Sequence, residues 1–491
     1  MAIFRTTSRP ETTLGARVVY FSRIRRRIVW YNTMGAILLV FFLGYALALE
    51  RDIPLYVDKI GKDRHFLRPF FGNPDPNNSH QSHYESYHTS RTLTMSSTPS
   101  PSIASPAEGV DFASLPWNLN LPDHHSYVHL TTTTGEWTEG HLQTIEDHVY
   151  SYKDRHLPAS PAMTSLNYGT TLWEGLKCYR TADDQSVVFR ADKNYERMKN
   201  GARELCLPMP SLELFMRAIQ VAIHANSNLI PPVGEGMKLY VRPMLLGSGQ
   251  QLGLYPSPQF SFVVYVSPTG NYFKAATSGL VLHLETKRAR AARGGMGSTK
   301  CAGNYACALK PLMDCKQHGF MDNVFLELET YQPGNLGAAV VQEMSAANIF
   351  LVLTTGEIVT PALDRGTILP GVTRASVLAI VEHCAEELTP LVRQSTDNDQ
   401  AVVRASSRTV TVSEFAQATE CFCTGTAAEL VPIRRLATAP TDEDSLECTF
   451  VDNGPVTQAL LRMLRETMAG TRTVEQGWLR DPFASAQEFC A

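Results

Sequence analysis

Apolar residues follow two kinds of spacing along the chain, and the first kind predicts strands. Met237–Gly247 and Phe260–Pro268 are short, largely apolar runs bounded by Gly or Pro, as is typical of buried strands. Asn348–Leu363 is a longer apolar stretch that is interrupted at Thr355 and Gly356. Because a glycine between two apolar runs is a turn signal, this stretch predicts two strands joined as a hairpin.

The second kind of spacing, with apolar residues three or four positions apart, predicts helices. The predicted helices are Asn194–Leu207, Ser211–Asn226, Asn304–Gly319, Thr373–Leu388 and Gly454–Gly470. Strands and helices are mixed without a strict β-α-β rhythm, and no GxGxxG sequence follows a predicted strand. An α+β fold is therefore favoured over a doubly wound parallel sheet.

The first 110 residues differ in character from the rest. Residues 1–28 form a basic segment whose single acidic residue is Glu11, and residues 29–49 form an apolar run without charge. A run of this length predicts a transmembrane helix that anchors the protein to a membrane. Residues 50–110, rich in His, Ser, Asn and Pro, predict a disordered linker. Two alternatives stay open: residues 1–27 also resemble a mitochondrial transit peptide, or the working protein begins at Met95.

Composition restricts the classes of function. The chain has 491 residues, of which 44% are hydrophobic and 19% charged, as in a globular protein of two or three domains. The net charge of −4 and the lack of a basic patch interleaved with aromatics after the first hundred residues argue against nucleic acid as a partner. The ten cysteines lie between Cys178 and Cys490 without paired spacing, so reduced thiols are expected. The histidines of the linker, which are scattered and predict no metal site, are His65, His80, His83 and His88.

The stretch GGMGSTKCAGNYACALKP, from Gly294 to Pro311, surrounds a lysine of chemical interest. A phosphate-binding P-loop requires Gly directly before its Lys and Ser or Thr directly after it, whereas here Thr299 precedes Lys300 and Cys301 follows it. The spacing therefore excludes a P-loop. A lysine that is partly buried next to the start of a helix would have a lowered pKa, and its amine could act as a nucleophile or base.

Several blocks of sequence carry a resemblance to a known family. The blocks GGMGSTKCAGNYACAL, QEMSAANIFLV, IVTPALDRGTILPGVTRASV and CFCTGTAAELVPI follow one another, with LNYGTTLWEGLKCYR, FRADKNYERM and LYVRPMLLG upstream. Residues 116–482 thereby resemble the branched-chain amino acid aminotransferases, which are class-IV, fold-type-IV enzymes that use pyridoxal 5'-phosphate. The resemblance implies a small α/β domain at 111–275, a larger pseudo-barrel domain at 288–491, the cofactor in the cleft between them, and a homodimer with residues near the substrate loop crossing over.

The same resemblance implies which residues bind the cofactor. Lys300 would form a Schiff base with the cofactor aldehyde and then move the proton during the reaction. Tyr305 would bond the phenolic oxygen of the cofactor, and Glu343 would pair with its pyridine nitrogen so that the ring can accept electrons. The phosphate would be bound by Arg197, by the N–H groups of Val372 and Thr373 at a helix start, and by the Thr426 hydroxyl.

Substrate contacts follow from the resemblance in the same way. The α-carboxylate of each substrate would be bound by Tyr240 and by the N–H groups of Thr426 and Ala427. The distal carboxylate of glutamate would be bound by Arg242 and Tyr168. Trp173 stands at a pocket position where the family often has Phe. The pocket is therefore expected to differ in shape, and the exact amino acid that serves as substrate stays open.

The function that the resemblance implies is amino-group transfer between Leu, Ile or Val and 2-oxoglutarate, by a ping-pong mechanism. Three alternatives of the same fold stay open: a D-amino acid aminotransferase, aminodeoxychorismate lyase, and a transaminase for an unusual hydrophobic amino acid. The alternative of another class is an inert, membrane-tethered binding module, against which the intact set of buried charged groups argues. The expected location is at a membrane, or otherwise in mitochondria or the cytoplasm.

Overall fold

The computed structural model of the protein describes residues 103–234, 236–270, 272 and 279–490. The basic segment at 1–28, the predicted transmembrane helix at 29–49, the four linker histidines and most of the linker itself lie outside these residues. Among the residues that are described, no helix combines the length and the apolar character that crossing a membrane requires.

Seventeen strands of the described chain form two sheets, and their bounds fix the labels used below. The strands are β1 Ser126–Thr132, β2 Val149–Ser151, β3 Thr171–Trp173, β4 Leu176–Arg180, β5 Ser186–Phe189, β6 Lys238–Gly247, β7 Phe260–Thr269, β8 Leu280–Glu285, β9 Asp322–Leu326, β10 Val341–Met344, β11 Asn348–Leu353, β12 Glu357–Pro361, β13 Arg404–Arg408, β14 Ala418–Gly425, β15 Glu429–Ala437, β16 Glu447–Thr449 and β17 Leu479–Arg480.

The first sheet has eight strands in the order β17-β5-β4-β6-β7-β1-β2, with β3 also paired to β6. Its neighbours are all antiparallel. The pair β6 and β7 runs in register from Lys238 opposite Thr269 to Gly247 opposite Phe260, which confirms both strands predicted here. Because side chains alternate along a strand, every second residue of β6 from Lys238 onwards points to the same face.

The second sheet has nine strands in the order β10-β9-β8-β15-β14-β11-β12-β13, with β16 paired to β15. It is mixed: β8 is parallel to β9 and to β15, and β12 is parallel to β13, while the remaining pairs are antiparallel. The predicted hairpin is confirmed as β11 and β12, which pair antiparallel on either side of Gly356. The combination of antiparallel and mixed sheets with helices confirms a mixed α and β fold with two sheets.

Nine helices are described, and four of the five predicted ones are confirmed with small shifts at their ends. They are α1 Glu139–Gln143, α2 Thr164–Tyr168, α3 Ala191–Glu204, α4 Leu212–His224, α5 Ala302–Gln317, α6 Val372–His383, α7 Ala385–Thr396, α8 Pro455–Met468 and α9 Ala486–Cys490. The start of α4 lies where the sequence predicts it. The Ser211 hydroxyl accepts a hydrogen bond from the N–H of Leu214, 3.1 Å away, and so acts as the N-cap.

The prediction of a single helix at Thr373–Leu388 is wrong, since the helix is interrupted at Cys384, which separates α6 from α7. Apolar spacing does not reveal this break because both helices bury residues in one core, for example Val377 on α6 and Leu388 on α7. When two successive helices pack on the same core, the spacing of apolar residues continues from one to the other, so the sequence pattern does not show where the first helix ends.

Each sheet is covered by helices that bury its apolar face. Phe215 of α4 stacks on Phe262 of β7, with 5.9 Å between ring centroids, and both are fully buried. On the second sheet, Phe350 and Phe422 stack at 5.0 Å in the core shared with α6 and α8. The first sheet draws on residues 126–269 and on β17, and the second on residues 280–449, while the domain boundaries at 111–275 and 288–491 stay a prediction.

Gly356 gives a direct test of the hairpin. Its φ is +92°, and a Cβ added there would lie 2.6 Å from the carbonyl oxygen of Val402. We expect Gly356→Ala to lower the free energy of unfolding by about 1 kcal/mol or more, because the left-handed backbone and the contact both oppose a side chain. The matched control is Gly337→Ala, where the nearest atom is 3.6 Å away. Equal stability of the two variants in urea unfolding would contradict this account of the turn.

Candidate active site

A cavity of about 270 Å³ brings together all but one of the residues that the sequence singles out. Its walls come from β3, β6, β10, from the starts of α5 and α6, and from the turn between β14 and β15. The predicted residues that line it are Trp173, Arg197, Tyr240, Arg242, Lys300, Tyr305, Glu343, Val372, Thr373, Thr426 and Ala427. Residues that are far apart in the sequence thus meet at one place.

Lys300 is fixed in this cavity by the edge of the first sheet. The N–H of Trp173 donates to the carbonyl of Lys300 at 3.2 Å, and α5 begins just after Cys301, its N-cap. The lysine amine donates to the Tyr305 hydroxyl at 2.8 Å and lies 3.9 Å from the centroid of the Trp173 ring. The predicted proximity of Lys300 and Tyr305 is therefore present in the structure.

Burial makes this amine unusually easy to deprotonate. The pKa of Lys300 is lowered to about 7, first by desolvation and next by the charge of Arg197, against the opposing effect of Glu174. A substantial fraction of the amine is therefore neutral at neutral pH, which a nucleophile requires. Burial, together with the charge of Glu343, raises the pKa of Tyr305 far above its usual value, so this phenol keeps its proton.

Glu343 supplies a buried carboxyl group to the opposite wall. It accepts hydrogen bonds from the N–H of Leu369 at 2.8 Å and from the Asn348 amide at 2.9 Å, and it forms an ion pair with Arg290. Burial raises the pKa of Glu343, although the charge of Arg290 opposes that shift. Arg290 also donates to the carbonyls of Gly297 and Thr367, so it ties the segment before Lys300 to the carboxyl group.

Arg197 on α3 is held by a second buried carboxylate. Its Nε donates to Glu174 at 2.8 Å and its Nη2 to the same carboxylate at 2.6 Å, while Nη1 donates to the carbonyl of Pro370 at 3.0 Å. Glu174 is fully buried and also accepts from the Asn194 amide. This two-point pairing fixes the plane of the guanidinium, which lies beside the start of α6.

The start of α6 forms an anion-binding wall. Gly371 is its N-cap, and the first N–H groups of a helix have no partner within the helix and carry a positive partial charge. A Cβ on Gly371 would lie 2.1 Å from the Asn348 side chain, so only glycine fits there. Thr424 pairs with Asn348 on the neighbouring strand, and its buried hydroxyl lacks a hydrogen-bond partner within the described part of the chain, which is consistent with a ligand at this wall.

The remaining wall is aromatic and cationic. Tyr240 and Arg242 lie on one face of β6, and the Arg242 guanidinium donates to the Tyr240 hydroxyl at 3.1 Å. The guanidinium carbon is 4.2 Å from the Trp173 centroid, so the indole contacts both Arg242 and the lysine amine. Trp117 packs its edge against Tyr240 with 5.0 Å between centroids, and it closes the cavity on that side.

Tyr168 is the predicted site residue that does not line the cavity of its own chain, so its role stays a prediction. It is the last residue of α2, and its hydroxyl donates to the carbonyl of Leu252. Gly169, with φ of +66°, reverses the chain so that Trp173 reaches the cavity while Tyr168 faces away from it. Leu252 itself is 93% exposed, so Tyr168 lies beside an apolar surface.

Several lining or supporting residues were assigned no role from the sequence. They are Trp117, Glu174, Tyr272, Arg290, Asp322 and Asn348. The spacing of Asn348, five residues after Glu343 at the start of a strand, is a signal that could have been used. Among the described residues, no group of three or more His, Cys, Asp or Glu side chains is placed to hold a metal ion.

Comparisons with known proteins give one consistent result. The model of the family "Amino-transferase class IV" matches residues 171–436. Branched-chain-amino-acid aminotransferase 5, chloroplastic, from Arabidopsis thaliana is 36% identical over 324 residues, which cover 66% of this chain and 69% of that protein. A methionine aminotransferase from the same plant is 37% identical over 277 residues, covering 56% and 70%.

A solved structure shows the same fold. The branched-chain aminotransferase of the thermophilic archaeon Thermoproteus uzoniensis, solved with norvaline, superposes with a TM-score of 0.54 at 23% sequence identity. The match covers 73% of this chain and 99% of that one. The two-sheet architecture of the described residues is therefore that of an aminotransferase of this type.

The lowered pKa of Lys300 predicts a pH profile for chemical labelling. Only the neutral amine reacts with an acylating reagent, so the labelling rate at Lys300 in cofactor-free protein should rise with pH and reach half its maximum near pH 7. An ordinary lysine side chain reaches that point at about pH 10.4. Peptide mass spectrometry at each pH measures the rate at this one site. A midpoint above about pH 9 would contradict the assignment of a desolvated amine.

Proposed function

The chain belongs to the class IV aminotransferase family, and on that premise we propose that it transfers amino groups between branched-chain amino acids and 2-oxoglutarate with pyridoxal 5'-phosphate as cofactor. The observation that carries the proposal is the lysine amine with a pKa of about 7, 2.8 Å from a tyrosine hydroxyl, in a cavity that also has an anion-binding wall. An apolar side chain at this position would stabilise the fold better than a desolvated amine, so the amine indicates a chemical role.

The residues present fit this cofactor on every side. The start of α6, Arg197 and the Thr426 hydroxyl would hold the phosphate, and the unpartnered Thr424 hydroxyl lies next to that wall. Glu343 would bind the pyridine nitrogen of the cofactor. Its carboxyl group is already held by donors from the protein, which suits it to one further N–H partner on the cofactor. Tyr305 would bond the phenolic oxygen. When bound, the cofactor supplies an aldehyde for amines and a ring that accepts an electron pair.

Lys300 then has two tasks that its surroundings support. Its amine would hold the cofactor, and as a free amine it would move a proton between the α-carbon of the substrate and the cofactor. Both tasks need an amine that exchanges its proton near neutral pH, as burial and Arg197 provide. Trp173 and Tyr305 contact the amine and restrict where it can move.

Substrate binding is proposed on the wall that β6 and the turn between β14 and β15 form. Tyr240 and the N–H groups of Thr426 and Ala427 would bind the α-carboxylate that amino acids and 2-oxo acids share. Arg242, which lies within the cavity, would bind the second carboxylate of glutamate. Apolar side chains would then pack on Trp173 and on the aromatic residues around it, and the shape of this aromatic wall would select among hydrophobic amino acids.

The exposed surface near Tyr168 supports a homodimer. Leu166, Leu252, Leu254 and Tyr255 are 65%, 93%, 77% and 73% exposed, which is unusual for a cluster of large apolar side chains on one surface. We propose that a second copy covers this surface. Tyr168 would then contribute to substrate binding from one protomer into the cavity of its partner, since it does not line its own.

An organelle is the proposed location. The Arabidopsis relative is named chloroplastic, and residues 1–28 are basic with one acidic residue, as organellar targeting peptides are. Membrane anchoring through residues 29–49 stays a prediction. A fluorescent fusion with and without residues 1–94 separates these destinations.

The proposed activity is tested by a substrate panel. Purified protein with cofactor should convert 2-oxoglutarate to glutamate with Leu, Ile or Val as donor, and more slowly with Met. Lys300→Ala should lower this rate by about 10²–10⁴-fold or more, because the group that moves the proton is lost. The control is Lys310→Ala, an exposed lysine on α5, the helix that follows Lys300, which should retain the rate.

Other outcomes of that panel assign other members of the family. With aminodeoxychorismate and D-amino acids added to the panel, release of pyruvate from aminodeoxychorismate without a 2-oxo acid acceptor would identify a lyase, and a preference for D-amino acids would identify a D-amino acid aminotransferase. Either result contradicts the proposed function.

The dimer is tested by the mass in solution. Light scattering should give twice the 54.4 kDa of the chain, and Leu254→Arg should shift the mass toward one chain because a charge would be buried in the interface. Val402→Arg, at an exposed apolar residue on another surface (65% exposed), is the control. A monomeric wild-type protein with full activity would contradict the proposal.

A further inference from the structure

A cluster of charged and polar residues surrounds the buried carboxylate of Glu429 at the turn between β14 and β15. The cluster consists of Glu429, Lys177, Lys238, Arg465 and Tyr179. The Lys177 amine donates to Oε1 of Glu429 at 2.9 Å, the Arg465 Nε donates to Oε2 at 3.0 Å, and the Tyr179 hydroxyl donates to Oε1 at 3.4 Å. The Lys238 amine lies 4.0 Å from Oε1. None of the sequence patterns described above pointed to it.

Glu429 is also the residue that closes the turn. Gly425 pairs with Glu429 across the turn, and the intervening residues Thr426, Ala427 and Ala428 all line the cavity. The φ of Glu429 is +61°, a left-handed conformation that a residue with a side chain adopts only when its surroundings impose it. The side-chain contacts of Glu429 are therefore what holds the backbone of the turn in this form.

The contacts come from three elements, one of which also carries a substrate-binding residue. Lys177 lies on β4, Lys238 on β6 and Arg465 on α8. Lys238 and Tyr240 are two residues apart on β6 and therefore share a face. The cluster thus joins the strand that carries Tyr240 to the turn that carries Thr426 and Ala427.

The positive charges around Glu429 strengthen the link between β6 and the turn, and they require an ionised carboxylate at position 429. Burial alone would raise the pKa of Glu429, but the charges of Lys177, Lys238 and Arg465 hold it at about 2, so the group stays ionised. Glu429 and Lys177 are both buried, and screening by salt is weak at such sites. The Lys238 amine has no hydrogen-bond partner among the described residues and depends on the nearby carboxylate for its charge.

We propose that Glu429 is a positioning residue that sets the distance between Tyr240 and the Thr426–Ala427 turn, and thereby the affinity of the site for the α-carboxylate of its substrates. It contacts neither substrate nor cofactor, since Lys177, Arg465 and Tyr179 take up its carboxylate. This inference rests on the proposed function. The amino donor and the 2-oxo acid acceptor both carry an α-carboxylate, so the effect of Glu429 should be the same on each.

The test uses Glu429→Gln in the holoenzyme, with Glu447→Gln as the matched control. Glu447 pairs with Arg435 in the same sheet, but its side chain is 61% exposed. In Glu429→Gln, KM should rise about tenfold for leucine and for 2-oxoglutarate alike, with a much smaller change in kcat, because a charge-assisted contact that fixes the binding groups is lost. Glu447→Gln should leave both constants unchanged.

A measurement without turnover separates binding from chemistry. The Kd of the holoenzyme for 4-methylpentanoate, a branched carboxylate without an amino group, is measured by calorimetry and should rise about tenfold in Glu429→Gln. A Kd and KM within about twofold of wild type, in a variant that folds and binds cofactor, would overturn the proposal. An inactive wild-type enzyme would instead contradict the proposed function, so the two failures are distinguishable.

If Glu429→Gln does not fold, a second variant tests the proposal. Lys177→Met combined with Glu429→Gln removes one buried cation together with the carboxylate, which costs less stability than leaving the cation unpaired. The same rise in KM and Kd is expected in this double variant because the turn has lost its anchor. Wild-type affinity in the double variant would overturn the proposal.

Discussion

A lysine amine that is desolvated inside the cavity, and for that reason partly neutral near pH 7, is the constraint on which the rest of the site depends. Lys300 owes this state first to desolvation and then to Arg197, while its hydrogen bond to Tyr305 and its contact with Trp173 fix where it lies. A solvated lysine at the same position would be almost fully protonated at neutral pH. Moving the amine into solvent would therefore remove the chemistry without changing the fold.

Three buried carboxylates in and behind the site each have a cationic partner. Glu343 is paired with Arg290 and Glu174 with Arg197, and behind the substrate wall Glu429 is paired with Lys177. Unpaired, any of these groups would destabilise the fold by several kcal/mol. Because they are paired, the protein can keep carboxylates and guanidinium groups close to the amine, where they shift its pKa and offer binding sites for anions.

Much of the fold and the site could be predicted from sequence, and the failures have physical causes. Apolar periodicity located β6, β7, the β11 and β12 hairpin and four helices, since each buries one face. The same periodicity missed the break at Cys384 because α6 and α7 share a core. Site residues such as Lys300 and Glu343 followed from a resemblance of motifs, whereas Glu174 and Arg290 act through other side chains, and the resemblance assigned no role to either. The resemblance named Tyr168 as a site residue, but it could not show whether Tyr168 serves its own chain or a second copy, and Tyr168 does not line its own cavity.

The most direct test of the account is to identify the lysine that holds the cofactor. Borohydride reduction of the purified holoenzyme, followed by peptide mass spectrometry, measures which lysine carries the phosphopyridoxyl group. The account predicts the modification on Lys300 alone, in the peptide that also contains Tyr305. Modification of another buried lysine, such as Lys177 or Lys238, or no modification at all in an active enzyme, would contradict it.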